Sequence, residues 1–174
     1  MTEDQIVVTY YYRLKDTSVL VHHYIKDTTT SLSADVTING RIEDAYTTTI
    51  ANDIPEQYEL VEMPANATGT MTKEQIVVTY YYQLKNYPYV VNYLEKDTDK
   101  VLHEAKVVEN KTFEDVVTSS NEVIDIDGYN YDSVNPESLT ITTGENVINI
   151  YYTKRNDLTY TVNYLEKETD KVLH

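Results

Sequence analysis

The feature that most constrains this chain is that it repeats itself. Residues 1–15, MTEDQIVVTYYYRLK, recur as residues 71–85, MTKEQIVVTYYYQLK, with 12 of 15 positions identical at a spacing of 70. Residues 89–103, YVVNYLEKDTDKVLH, recur as 160–174, YTVNYLEKETDKVLH, with 13 of 15 identical at a spacing of 71. A fixed period changes the question from the fold of one domain to the fold of a unit in an array. A weaker match of 16–85 onto 86–155 sets Tyr24 against Tyr93, Glu43-Asp44 against Glu114-Asp115, Tyr58 against Tyr129, and Tyr81-Tyr82 against Tyr151-Tyr152. The offset reads as 69 before the first turn and 71 after it, which places two extra residues in the first hairpin of the second unit. The chain therefore reads as the tail of one unit, two complete units and the opening of another. The junctions near Leu84-Lys85-Asn86 and Lys154-Arg155-Asn156 hold no Gly/Ser-rich or Pro-rich linker, so neighbouring repeats are expected to be closely coupled.

Composition says what each unit is built from. Val, Ile, Thr and Tyr number 20, 12, 24 and 18 of 174 residues, the types that suit a pleated, half-buried surface, so strands should dominate. In the first unit SVLVHHYI and ADVTI read as a hairpin around KDTTTSLS, followed by a short helix over EDAYTTTIAND and strands at YELVE and QIVVTYYYQL. In the second, FEDVVTSSNE reads as the matching helix, with Thr112 and Asp115 in capping-box spacing. YNYDSV, LTITT and NVINIYY follow as strands, with a turn at Asn135-Pro136.

Alternation assigns faces, because successive strand side chains point to opposite sides. Val78, Tyr80 and Tyr82, matched by Ile148, Ile150 and Tyr152, form a core face. Val77, Thr79 and Tyr81, matched by Val147, Asn149 and Tyr151, form the outward face. In the opening strand Val91 and Tyr93 read as inner and Asn92 as outer, and His22 takes the inner place in unit one as a neutral packed imidazole.

Several function classes fall away on the residues. A formal charge of −15 leaves little means of tracking phosphates, so neither nucleic acid nor an anionic membrane surface is an expected partner. No apolar run approaches the roughly 20 residues of a membrane span, and no export signal is visible at the N-terminus. Cysteine is absent, which removes disulfides, thiolate nucleophiles and Cys-ligated zinc. With four glycines and no G-x-S-x-G, phosphate loop or H-E-x-x-H, the chain does not read as an enzyme, and no cofactor is implied. His22-His23 are adjacent on a strand and face opposite sides, so they do not chelate from one face. Asp97, Asp99, Asp125, Asp127 and Asp132 lack EF-hand spacing and read as solvated turn acids rather than a calcium site. The sequons at Asn66 and Asn110 are set aside.

Tyrosine is the sharpest bias, 18 against one Phe and no Trp. A phenol ring stacks on a sugar face while its hydroxyl stays wet, so an outward Tyr is a candidate glycan contact where an inward one is core. Tyr81 and Tyr151 are the outward pair, and Tyr11, at the matching place in the N-terminal copy, is the third candidate.

The V-x-x-Y opening strand, EDAY, YELVEMPANATGTMT and the closing IVVTYYY resemble the mucin-binding-protein (MucBP) repeat of Gram-positive surface proteins. The resemblance covers nearly all of unit one, and unit two follows it outside DIDGYNYDSVNPESLTITT. It implies an α+β, strand-rich chain of tandem ubiquitin-like β-grasp domains. It sets the phase as 1–15, the last strand of a preceding repeat; 16–85 and 86–155, two repeats; and 156–174, the first hairpin of a following one. In a β-grasp unit the first and last strands are adjacent and parallel, so the units are expected end to end in an elongated rod, roughly 70–80 Å for two at strand rise. The resemblance further implies an extracellular location on the bacterial cell surface, with wall anchoring through another part of the parent protein. The function it implies is a repeat of an adhesin that contacts mucin or host-surface glycans weakly and in many copies; the alternative is a passive stalk. Mucins are anionic, so short-range stacking and hydrogen bonding, not charge steering, must carry such binding.

Overall fold

In a computed structural model, residues 6–157, 159–169 and 171–173 are described. The chain divides into two compact units, Met1–Lys85 and Asn86–His174.

In the first unit β1 (Asp16–Ile25) turns back into β2 (Val36–Arg41), and short strands β3 (Ala45–Thr47), β4 (Tyr58–Leu60) and β5 (Thr68–Thr70) precede the long β6 (Ile76–Leu84). One sheet runs in the order β2-β1-β6-β4, with β3 and β5 paired separately. The pairing of β1 with β6 is parallel, from Val19 opposite Ile76 to Ile25 opposite Tyr82, and β2 and β4 lie antiparallel at the two edges. The second unit repeats the plan with β7 (Asn86–Glu95), β8 (Val101–Thr112), β9 (Val116–Thr118), β10 (Tyr129–Asn135), β11 (Ser138–Thr140) and β12 (Val147–Lys154). Its sheet runs β10-β12-β7-β8, again with the first and last strands parallel.

The alternation read from the last strands holds. Val78, Tyr80 and Tyr82 are buried in unit one, and Ile148, Ile150 and Tyr152 in unit two. Each triplet packs with a second layer, Tyr46, Ala67 and Met71 in the first unit and Val117 and Ile141 in the second. Full burial of a Val or Ile side chain contributes about 1.5–3 kcal/mol, so each triplet is a main source of its unit's stability.

Two expectations need correction. No α-helix occurs among the described residues. EDAYTTTIAND forms β3 and an irregular stretch, and FEDVVTSSNE forms β9 and a single 3-10 turn, Ser119–Glu122. Thr47, Thr48, Thr49 and Ile50 are all β-branched and lose side-chain freedom in a helix. Thr112 does not cap; its hydroxyl donates to Asn86 Oδ1 (3.0 Å), and Glu114 takes a positive φ of 69°, as Glu43 does at 75°. The α component of the expected fold class is therefore absent from the described residues of both units.

The second correction concerns the first hairpin. Val21 pairs with Val78 and Val91 with Ile148, so the opening strands match at 70 rather than 69, and the buried partner of Tyr93 is His23. His22 points to the outward face. A slip of one residue moves every side chain of a strand to the other side, which is why a single misplaced offset exchanged the two histidines. From His23 to the buried Tyr46 is 23 residues and from Tyr93 to the buried Val117 is 24, so the second unit carries one extra residue here, not two.

Candidate functional site

The outward face of the unit-one sheet carries paired side chains in parallel register, Leu20 beside Val77, His22 beside Thr79 and Tyr24 beside Tyr81. His22 and Tyr24 stack at 4.8 Å between ring centroids. His22 Nδ1 lies 2.8 Å from Asp35 Oδ1 and 3.0 Å from the Tyr24 hydroxyl, which ties the pair in place. Tyr81 and Val77 stay 43% and 46% exposed, so the ring offers an open face.

Beside them β4 stops early. Leu60 lies opposite Tyr82, Val61 N–H still donates to Tyr81 C=O (2.9 Å), and then the chain leaves β6. It returns at Asn66, whose side-chain amide donates to Val77 C=O (2.9 Å). Alternation explains the departure. Leu60 faces the core; two residues on, the same face would receive Glu62 opposite Tyr80, and an unpaired carboxylate is not stable there. Glu62 is exposed instead. Between the two tethers opens a groove of about 910 Å3 lined by Val77, Thr79 and Tyr81, by Val61–Asn66 residues on one side and by the Lys26–Thr29 turn on the other. Lys26 has no ion pair among the described residues, so its ammonium is available at the rim.

Unit two fills the same place. β10 pairs with β12 from Tyr129 opposite Lys154 to Asn135 opposite Asn149, with Ser133 opposite Tyr151 and Val134 opposite Ile150 after an irregularity between Tyr131 and Ser133. Val134 packs against the core where unit one would have to place Glu62. Lys96, the counterpart of Lys26, pairs with Asp132 at 2.8 Å. Asn149 Oδ1 is taken by the Asn92 amide (2.9 Å), and Tyr151 is half-buried.

Of the three tyrosines singled out by sequence, Tyr81 lines a groove. Tyr151 lies on the matching face of its own unit without one, and Tyr11, 92% exposed, belongs to a segment with no strand pairing among its described residues. The sequence places Thr79 on the outward face and marks Asn66 only as a sequon, but points to neither of them, nor to Lys26, as a groove residue; the signal that was present is Glu62, a charge at a core-side place in strand alternation.

The core behind the groove is polar in places. His23 is buried, stacks on Tyr80 at 5.1 Å between centroids, and its Nδ1 meets the Tyr82 hydroxyl at 2.9 Å. Burial pushes the His23 pKa down, against smaller raising contributions from Asp53 and Asp35, so the ring is held neutral. In unit two Glu122 accepts from Lys106 Nζ (2.6 Å) and from the Tyr89 hydroxyl (2.9 Å). Burial alone would raise its pKa, but these two hydrogen bonds together hold it below the ordinary carboxylate value. Among the described residues no three His, Asp or Glu side chains gather as a metal site would need.

The MucBP domain profile matches residues 18–83 and 88–153, one match in each compact unit. This chain belongs to the MucBP domain family. It is 34% identical over 158 residues to Internalin J of Listeria monocytogenes serotype 4b (strain F2365), covering 87% of this chain and 16% of that protein. It is 35% identical over 138 residues to Internalin J of serovar 1/2a (strain ATCC BAA-679 / EGD-e), covering 76% and 15%. The chain thus spans about a sixth of these curated relatives. Among solved structures, the Streptococcal High Identity Repeats in Tandem (SHIRT) domains 3-4 from cell surface protein align with TM-score 0.38 at 9% identity, over 80% of this chain and 98% of that one. Mub-RV aligns with TM-score 0.32 at 12% identity, over 79% and 98%. Likeness this loose leaves the MucBP units to be described from their own strands. No helix among the described residues is long and apolar enough to cross a membrane.

Proposed function

We propose that these MucBP repeats are part of an extracellular bacterial surface adhesin, and that unit one contacts mucin or host-surface glycans through the groove at Tyr81. The carrying observation is an open aromatic face, 43% exposed, at a groove of about 910 Å3, a size that suits a short saccharide. Family membership supports mucin as the source of the glycan. A ring stacking on a sugar face does not need long-range attraction, which suits a chain of charge −15 meeting an anionic partner. Binding through one such groove is weak and gains strength from repetition. The sheet order β2-β1-β6-β4 supports reading each unit as a β-grasp sheet whose crossing helix is replaced by extended chain.

A second reading, in which a repeat only projects a distal binding domain, is favoured for unit two by the strand that fills its groove. The two readings separate on a mucin column. Retention of this chain should fall several-fold with Tyr81→Ala, stay unchanged with Tyr151→Ala, and hold or rise with salt. Negligible retention of every form makes both units stalk, and a steep loss with salt contradicts stacking as the mechanism.

A further inference from the structure

Strand β6 bonds on alternate residues to its two neighbours. Lys26 N–H donates to Tyr82 C=O, which puts the even-numbered backbone groups of β6 toward β1. The odd-numbered groups face the other way, and Tyr81 C=O and Val77 C=O are taken there by Val61 and Asn66. Thr79 lies between them. The pairing of β4 with β6 ends at Leu60 opposite Tyr82, and among the described residues no loop or side-chain bond reaches the Thr79 backbone, so its N–H and C=O, on the side away from β1, point from the strand edge into the groove. The counterpart in unit two, Asn149, is paired with Asn135.

We infer that the main chain of Thr79 is the polar recognition element of the groove, reading two neighbouring hydroxyls of a pyranose whose ring lies on Tyr81. This rests on the glycan reading of the groove. N–H and C=O of one extended residue point the same way, a donor and an acceptor a few ångströms apart. Vicinal sugar hydroxyls offer an acceptor and a donor at a comparable separation, so one hydroxyl accepts from Thr79 N–H while its neighbour donates to Thr79 C=O. A half-buried peptide group left without a partner is unfavourable, which gives the groove an intrinsic preference for such a ligand over an apolar one. An extended peptide is the other natural partner of a strand edge. Here the free edge holds only the Thr79 N–H and C=O and the Tyr81 N–H, closed at one end by the Val61 bond to Tyr81 C=O and at the other by the Asn66 bond to Val77 C=O, so a compact ring fits where a running strand does not.

The test is a titration of the whole chain, 15N-labelled, with methyl β-galactopyranoside, with tetrahydropyran-2-methanol, which keeps a ring but lacks the vicinal pair, and with acetyl-Thr-Thr-Thr-amide. The galactoside should shift the amide of Thr79 and leave that of Asn149 in place. Tetrahydropyran-2-methanol should leave Thr79 unmoved. Thr79→Pro removes the donor on the open side, where proline is tolerated, and should weaken galactoside binding at least tenfold, while Thr79→Val, which keeps the N–H and changes only the side chain, should bind as the unaltered chain does. If Thr79→Pro fails to fold, the titration of the unaltered chain decides alone. The inference is overturned if the galactoside moves Tyr81 but not the Thr79 amide, if tetrahydropyran-2-methanol moves Thr79 equally, or if the peptide does so at lower concentration. Mucin retention that still depends on Tyr81 would then keep the glycan reading while this one fails; loss of both signals removes both.

Discussion

The two units share strand order, parallel closing pair and buried triplet, yet one side of the sheet differs. In unit two a seven-residue strand, Tyr129–Asn135, covers the edge of β12; in unit one a three-residue strand, Tyr58–Leu60, leaves the edge of β6 open at Thr79. The difference traces to the residue each sequence would place on the core side opposite the middle of the closing strand, Val134 in one and Glu62 in the other. A common scaffold can therefore bear a groove in one copy and close it in the next through the segment it lays beside the closing strand, without altering the ladder that holds the fold.

The most direct way to break the contrast is Glu62→Val. With an apolar residue free to face Tyr80, β4 should extend along β6 and fill the groove, abolishing Tyr81-dependent mucin retention while raising thermal stability; retention equal to the unaltered chain would show that Glu62 does not hold the groove open. Next in size, Glu122→Ala removes a side chain that accepts hydrogen bonds from Lys106 and Tyr89, one of them charged. Urea unfolding should report a loss of about 2–3 kcal/mol in unit two, with the amides of β1 and β6 unaffected in hydrogen exchange.

The cores differ in a matching way. Thr48 Oγ1 meets the Tyr80 hydroxyl at 2.8 Å in unit one, but Ile150 takes the tyrosine's place in unit two and the Ser119 hydroxyl is buried without a partner. Thr48→Val should therefore destabilise unit one by about 1–2 kcal/mol, whereas Ser119→Ala should be neutral or stabilising by up to about 1 kcal/mol. A loss of comparable size in both would mean the two hydroxyls are equally satisfied.

The smallest effect is one of pH. His23 has a folded pKa below its ordinary 6.5, so its contribution is present above that value and is lost as pH falls through the folded pKa. Hydrogen-exchange protection factors, which divide out the slower intrinsic exchange at low pH, should fall in β1 and β6 between pH 7 and 5 but not in β7 and β12, where Tyr93 stands in the place of His23, and His23→Tyr should remove the response. Unit two answers only in stronger acid, because the depressed Glu122 keeps its charge until pH falls below the ordinary 4.5.

Most of the scaffold was legible because it rests on local rules. Alternation in IVVTYYY and NVINIYY placed the buried and outward sides of β6 and β12, and β-branched runs marked the strands. A cap-like spacing at Thr112 and Asp115 points to a helix in FEDVVTSSNE, and the repeat carries that reading onto EDAYTTTIAND, where four consecutive β-branched residues oppose it. The His22/His23 exchange arose because Tyr24 and Tyr93 align by identity, whereas the sheet aligns Val21 with Val91. The groove was hidden for a different reason. Tyr81 could be placed on the outward side from β6 alone, but whether its edge is covered depends on pairing with residues some twenty positions earlier, which periodicity within one strand does not reveal.

Amide hydrogen exchange at two residues of the same chain tests the central contrast most directly. Thr79 N–H, aimed into the groove, should exchange within minutes at neutral pH, while Asn149 N–H, bonded within the ladder to Asn135, should be protected by several orders of magnitude more. Equal protection at the two sites would contradict the account, because it would mean that the edge of β6 is covered as fully as the edge of β12.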